Sequence, residues 1–179
     1  AVKAGIPVEV CAYSLNMLCG SGMKAVLNGM AEIRSGVADL IVAGGVESMT
    51  GAPYLLPREI RKGIRMGSFQ AEDHMLKDAL TDVFDNVHMG ITAENVAERH
   101  HITREQQDAF AYTSQQKAIK AVDEGAFDEE IVPLTVKAGR EDVVFSRDEY
   151  PNRGTNPEKL AKLRPAFRKD GTVTAGSSS

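Results

Sequence analysis

In the first forty-five residues, a strand signal, a glycine-flanked turn, an amphipathic helix and a buried-strand signal follow in order. Val8-Glu9-Val10-Cys11-Ala12 is a short β-rich run. Apolar side chains at Met23, Val26, Leu27, Met30 and Ile33 then recur at helical spacing, and Gly36 is a natural stop. Leu40-Ile41-Val42-Ala43 is wholly apolar and ends in Gly44-Gly45, the pattern of a strand covered on both faces. Strand, helix and strand at this spacing predict a βαβ unit, and hence an α/β fold with a parallel sheet under helices.

Beyond Thr50 the texture changes. Residues Gly51 to Gln70 hold Pro53, Pro57, Gly63 and Gly67 with little periodicity, which predicts an extended excursion such as an arm or lid. A helix is expected from about Asp73, with Met75, Leu76, Ala79, Leu80 and Val83 on one side, and another from about Gly90 to Arg99. Thr103 and Gln106 form a capping box that opens a third, running towards Gly125. Ile131 to Val136 and Val143 to Phe145 read as strands, Pro133 marking an edge, and a short helix is expected around Glu158 to Leu163. There is no internal repeat.

Of the 179 residues, 42% are hydrophobic and 26% charged, which excludes a disordered tail or a coiled-coil rod. No run approaches the roughly 20 apolar residues of a membrane-spanning helix, so a soluble protein with no membrane partner is expected. Lys plus Arg number 21 against 25 for Asp plus Glu, a net charge of −4 that argues against nucleic acid. Two cysteines make no disulfide framework, which favours a reducing, cytoplasmic location. The chain opens Ala1-Val2-Lys3 and closes on Gly176-Ser177-Ser178-Ser179, and is expected to be part of a longer polypeptide.

The stretch richest in chemistry is Asn16-Met17-Leu18-Cys19-Gly20-Ser21-Gly22-Met23-Lys24-Ala25. It places Cys19 at the head of a helix, where unpaired N–H groups and the helix dipole favour negative charge. A free thiol titrates near ~8.5 and can fall well below that in such a place. Gly20 and Gly22 would let a ligand carbonyl approach closely, and the same N–H groups could receive an oxyanion. Two other readings stand beside this one. Cys19 could be a small buried hydrophobe. Alternatively, Gly20-x-Gly22-x-x-Ala25 with Glu47 could be a dinucleotide turn, although Tyr13 to Leu18 separate it from the preceding strand.

Other candidates carry less. Cys11, between Val10 and Ala12, is expected to be a packed core thiol. His88, in a turn before a helix, would on residue type alone be a solvated surface residue, and His100-His101 no more than a partner for a helix end. No His, Cys, Asp or Glu spacing suggests a metal site. Basic residues gather at Arg58, Arg61, Lys62 and Arg65, and again at Arg153, Lys159, Lys162, Arg164, Arg168 and Lys169, patches suited to a small polyanion or a subunit contact.

Taken together, these segments resemble the thiolase family in its short-chain, acetyl-CoA acetyltransferase branch. The resemblance rests on Ser14 to Gly22, Val42 to Met49, Lys77-Asp78, Leu80-Thr81-Asp82, His88 to Ala97 and Gln107 to Ala111. It continues through Asp128 to Pro133, Leu163 to Phe167 and Gly171 to Gly176. It implies reversible Claisen condensation of two acetyl-CoA to acetoacetyl-CoA plus CoA, with Cys19 carrying the acyl group as a thioester. Leu80, His88 and Met89 would line the pantetheine and acyl pocket, and Leu163, Phe167, Ala175 and Ser179 would contact CoA. Gly20 would belong to an oxyanion turn, and Arg153 lies one position from an expected phosphate-binding arginine.

The resemblance further implies residues 1–49 as part of an N-terminal α/β domain, 50–169 as a loop domain bearing CoA and an oligomer arm, and 170–179 as a return strand. A homo-oligomer, dimer or tetramer, is implied, with CoA thioesters as substrates and no separate cofactor. The family's general bases would lie in a C-terminal half outside these residues, so the 179 residues alone are expected to be inactive. Ser177 stands where the family usually has Asn, and Val46 where it has Met. Three alternatives remain: a broader 3-ketoacyl-CoA thiolase, a ketoacyl synthase fed by an acyl-carrier protein, and a non-catalytic CoA-binding or assembly remnant.

Overall fold

The computed structural model describes residues 1–178. The chain forms two compact units, the first Ala1–Leu80 and the second from Thr81 onward. In the first unit, helix α1 spans Ser21–Arg34 and is entered through a 3-10 turn, Leu18–Gly20. It closes as the sequence predicts, with Gly36 taking φ 72°, a left-handed conformation that glycine adopts without penalty. Gly29 is the buried point of α1. A Cβ there would lie 3.1 Å from Ile41 Cγ2, so the missing side chain is what lets the Ile41 segment approach the helix.

The two strands expected to flank α1 are not formed as ladders. Val10 donates its N–H to the Pro7 carbonyl at 3.1 Å, which makes residues 7–10 a turn, and Cys11 is exposed rather than packed. Leu40 and Val42 are 85% and 84% exposed, and residues 40–43 pair with no strand among the described residues. An apolar run records a preference for burial, but a strand exists only when a neighbour takes its N–H and C=O groups. The helix expected from Asp73 is also replaced. Tyr54–Leu55 (β1) pairs antiparallel with Glu72–Asp73 (β2), holding 72–73 extended. Asp73 Oδ1 then accepts the Met75 N–H, and Met75–Ala79 forms a π turn in which Leu80 N–H reaches the Met75 carbonyl five residues back.

The second unit follows the predicted pattern closely. Helix α2 spans Met89–Arg99 and α3 spans Arg104–Asp123, the latter opened by the Thr103–Gln106 capping box with both of its hydrogen bonds made. Strands β3 (Leu134–Ala138) and β4 (Glu141–Phe145) form an antiparallel hairpin in register Val136↔Val143, joined by a two-residue turn with Gly139 at φ 68°. Pro133 immediately precedes β3 and so costs the ladder no donor. Helix α4, Pro157–Ala161, is capped by Asn156, whose Oδ1 accepts the Lys159 N–H. Its far end is closed by Arg104 of α3, which donates to the carbonyls of Leu160 at 2.6 Å and Leu163 at 3.0 Å while Asp108 holds the guanidinium. The core lies where α2, α3 and α4 meet the returning chain: Ala97, Ala111, Leu160 and Val173 are buried, and Thr174 is wholly enclosed.

Candidate functional site

Cys19 sits in the 3-10 turn at the head of α1, exposed, which sets aside the reading of a buried hydrophobe. The residue before it is unusual. Leu18 has φ 50°, a left-handed conformation that costs a side chain such as leucine roughly 1–2 kcal/mol. Two side chains hold it there. Asn16 Oδ1 accepts the Leu18 N–H at 2.9 Å, and Ser21 Oγ accepts the Met17 N–H at 2.9 Å while donating to the Leu18 carbonyl at 2.7 Å. The turn therefore projects Cys19 by a fixed kink rather than by a flexible loop. Gly20 donates its own N–H to the Met17 carbonyl at 3.0 Å, so it can serve an oxyanion only by exchanging that partner. Tyr13 donates to Glu32 Oε1 at 2.7 Å, tying the approach to the turn onto α1; that hydrogen bond is the main reason the Tyr13 hydroxyl is pushed above its ordinary pKa.

In the second unit, five predicted contact residues fall on neighbouring segments. His88 caps α2, its Nδ1 accepting the Gly90 N–H at 2.9 Å, which leaves Nε2 as the ring's N–H donor. Its ring stacks on Phe167, with centroids 5.0 Å apart and planes 24° from parallel. The half-buried His88 is thus neither a loose turn residue nor a solvated one. Met89 is the first residue of α2 and partly exposed. Phe167 belongs to a stretch that pairs with the returning chain through the Ala166 N–H to Val173 carbonyl bond and the Pro165–Thr174 bridge. Leu163 packs near Gly176, where an added Cβ would lie 2.8 Å from Leu163 Cδ1 and 2.6 Å from Leu160 Cδ2. Ala175 stands exposed between enclosed Thr174 and Gly176. Leu80 is half-buried at the end of the first unit, and Ser179 lies outside the described residues.

Arg153 is engaged elsewhere. Its guanidinium grips Asp123 with two nitrogens, one at 2.9 Å, and Arg147 adds a third bond at 2.9 Å. The Arg153 hydrogen bonds, with desolvation opposing and both arginine charges helping, hold the Asp123 carboxyl below its ordinary range.

Sequence reasoning missed Asn16 and Ser21, which act through Leu18, and it missed Gly90 and Glu94. Gly90 is buried because Phe167 lies over it. Glu94 is a carboxylate only 3% exposed, facing the Thr172 and Val173 amides. A carboxylate three residues before Ala97 on an otherwise ordinary helix offers no local signal of this. Among the described residues, no group of three or more His, Cys, Asp or Glu is arranged to hold a metal ion.

Residues 1–179, the entire chain, match the family model described as the thiolase N-terminal domain. The chain belongs to the thiolase family. It is 54% identical to an acetyl-CoA acetyltransferase of Pseudomonas aeruginosa over 100% of this chain and 46% of that protein. To one from Rhizobium meliloti it is 52% identical, over 100% of this chain and 45% of the relative. The crystal structure of the Bacillus anthracis acetyl-CoA acetyltransferase superposes with a TM-score of 0.93 at 45% identity, covering 99% of this chain and 45% of that one. The mixed helix and strand architecture is thus a partial thiolase α/β fold, and this thiolase chain spans about 45% of the length of the relatives it matches.

Proposed function

We propose that the protein of which this chain is part is an acetyl-CoA C-acetyltransferase, an acyltransferase joining two acetyl-CoA into acetoacetyl-CoA plus CoA, and reversing that reaction. The observation that carries the proposal is identity of about half, along the whole of this chain and about 45% of each relative, with acetyl-CoA acetyltransferases, in a chain whose Cys19, followed by Gly20 and Gly22, stands exposed at a helix head. The Cys19 thiolate attacks the thioester carbonyl of acetyl-CoA, and the carbonyl oxygen takes up the negative charge. Collapse of that intermediate expels CoA as its thiolate and leaves an acetyl thioester on Cys19. The α-carbon of a second acetyl-CoA, having lost a proton, attacks this thioester. A carbon–carbon bond forms, the Cys19–acyl bond breaks, and the thiolate returns.

Within this reading His88, Met89, Leu163, Phe167 and Ala175 line the CoA and acyl pocket. Residues 1–49 and 170–179 belong to the nucleophile-bearing domain and 50–169 to the CoA-binding domain. The enzyme works as a homo-oligomer, dimer or tetramer, in the cytoplasm, with CoA thioesters as substrates and no further cofactor. The general bases come from the family's other half, so turnover belongs to the whole protein.

Incubating the full-length protein with acetyl-CoA and mapping the adduct by peptide mass spectrometry tests the proposal. A single acetyl group on Cys19 is expected, lost again on adding CoA. Label on another residue, or none, overturns it.

A further inference from the structure

The Glu94 carboxylate receives four hydrogen bonds from one short segment. The Thr172 N–H lies 3.0 and 2.9 Å from its two oxygens, the Thr172 hydroxyl 3.2 Å from Oε2, and the Val173 N–H 2.9 Å from Oε1. Gly171 lies so close that a Cβ there would sit 2.2 Å from Glu94 Oε1, and Gln107 of α3 steadies the other side of Thr172 at 2.9 Å. Glu94 is 3% exposed and no cation is among its hydrogen-bond partners among the described residues. A buried polar group of this kind is accommodated where hydrogen-bond donors replace the water it has lost.

From these contacts we infer that Glu94 is a positioning residue for CoA binding. It fixes the returning segment 171–174, and with it Ala175, against the helix whose first turn carries His88 and Met89. The inference rests on the thiolase reading above. Glu94 touches no reacting atom; it sets the spacing between two walls of the site. On one side Val173 also accepts the Ala166 N–H, so the Phe167 stretch is registered by the same segment. One carboxylate therefore fixes the relative placement of His88, Phe167 and Ala175. Replacing one of its oxygens by an amide NH2 sets donor against donor and releases the segment.

The test uses the full-length enzyme and thiolysis of acetoacetyl-CoA, with CoA and with N-acetylcysteamine, a truncated thiol lacking the nucleotide and most of the pantetheine. Glu94→Gln is expected to raise KM for CoA about tenfold while kcat changes less than about threefold, and the rate with the truncated thiol, at saturating acetoacetyl-CoA, to stay near wild type. An unchanged KM for CoA, or equal losses with both thiols in proportion to the folded fraction, overturns the inference and leaves Glu94 a stability residue. Should Glu94→Gln fold poorly, Thr172→Val removes only the hydroxyl contacts and is read by the same KM comparison, with a smaller rise expected. A wild-type enzyme that thiolyses neither substrate refutes the thiolase reading instead, a result separate from either outcome for Glu94.

Discussion

Phe167 lies directly over the backbone of Gly90: a Cβ built on Gly90 would fall 2.2 Å from Phe167 Cδ1 and 2.3 Å from Cγ. The whole ring would have to move, and with it the stack on His88. Gly90→Ala is therefore expected to destabilise the protein by about 1–3 kcal/mol despite alanine's better helix propensity. Combined with Phe167→Ala, it should cost less than the sum of the two single changes. Urea unfolding of the four proteins of that cycle measures the coupling, and simple additivity would mean that the ring does not rest on Gly90.

His88 has two separable tasks, capping α2 through Nδ1 and stacking on Phe167. Asparagine preserves an acceptor at the cap, whereas alanine loses both contacts. His88→Ala is expected to lower stability by about 1 kcal/mol, and His88→Asn by less than half of that. In the full-length enzyme, however, both should weaken acetoacetyl-CoA thiolysis. Equal melting temperatures for the two variants would show that the cap contributes nothing.

At the head of α1, Ser21→Ala removes the acceptor for Met17 N–H and the donor to the Leu18 carbonyl. A loss of about 1 kcal/mol is expected, with Ser21→Thr close to wild type. Alkylation of Cys19 by iodoacetamide should also change in Ser21→Ala, because the kink that projects the sulfur is no longer held. An unaltered alkylation rate would mean the hydroxyl does not set the position of Cys19.

The two cysteines divide cleanly in the proposed mechanism. Cys19→Ala is expected to abolish thiolysis in the full-length protein, and Cys11→Ala to leave it within about twofold. Assay of both purified variants decides the matter; comparable losses from the two would contradict the choice of nucleophile.

Asp123 titrates below an ordinary aspartate because Arg153 and Arg147 favour its charged form. Its folded-state pKa is thus lower than its unfolded one. The stabilisation is complete above the ordinary aspartate range and is lost as pH falls through the lowered value. Arg153→Ala should move the Asp123 carboxyl titration, followed by carbon NMR, upward towards the usual range. An unmoved titration would show the bidentate contact to be absent in solution.

The parts of the chain legible beforehand were those whose determinants are local. The Thr103–Gln106 box and the positive-φ glycines Gly36 and Gly125 mark helix ends through bonds made within a few residues. Val8–Ala12 and Leu40–Ala43 have no such determinant, since composition names a strand but only a neighbouring strand makes one. The segment after Asp73 departs from the helix that its apolar spacing suits, because pairing of Glu72–Asp73 with Tyr54–Leu55 captures the start. At the site, Cys19 and its glycines were visible as a pattern. Leu18's left-handed backbone was not, because leucine is the wrong residue for that conformation and the restraint comes from the side chains of Asn16 and Ser21. Glu94 was invisible for a different reason: its partners lie 78 and 79 positions away.

That separation carries a consequence for how the chain assembles. Joining points so far apart in sequence costs loop entropy that grows as (3/2)RT ln n, whereas α3 begins from a box closed over three residues. The helices can thus form on local information, and docking of residues 171–174 is the step that waits for them. Amide exchange at Thr172 and Val173 accordingly reports whether the unit has finished folding.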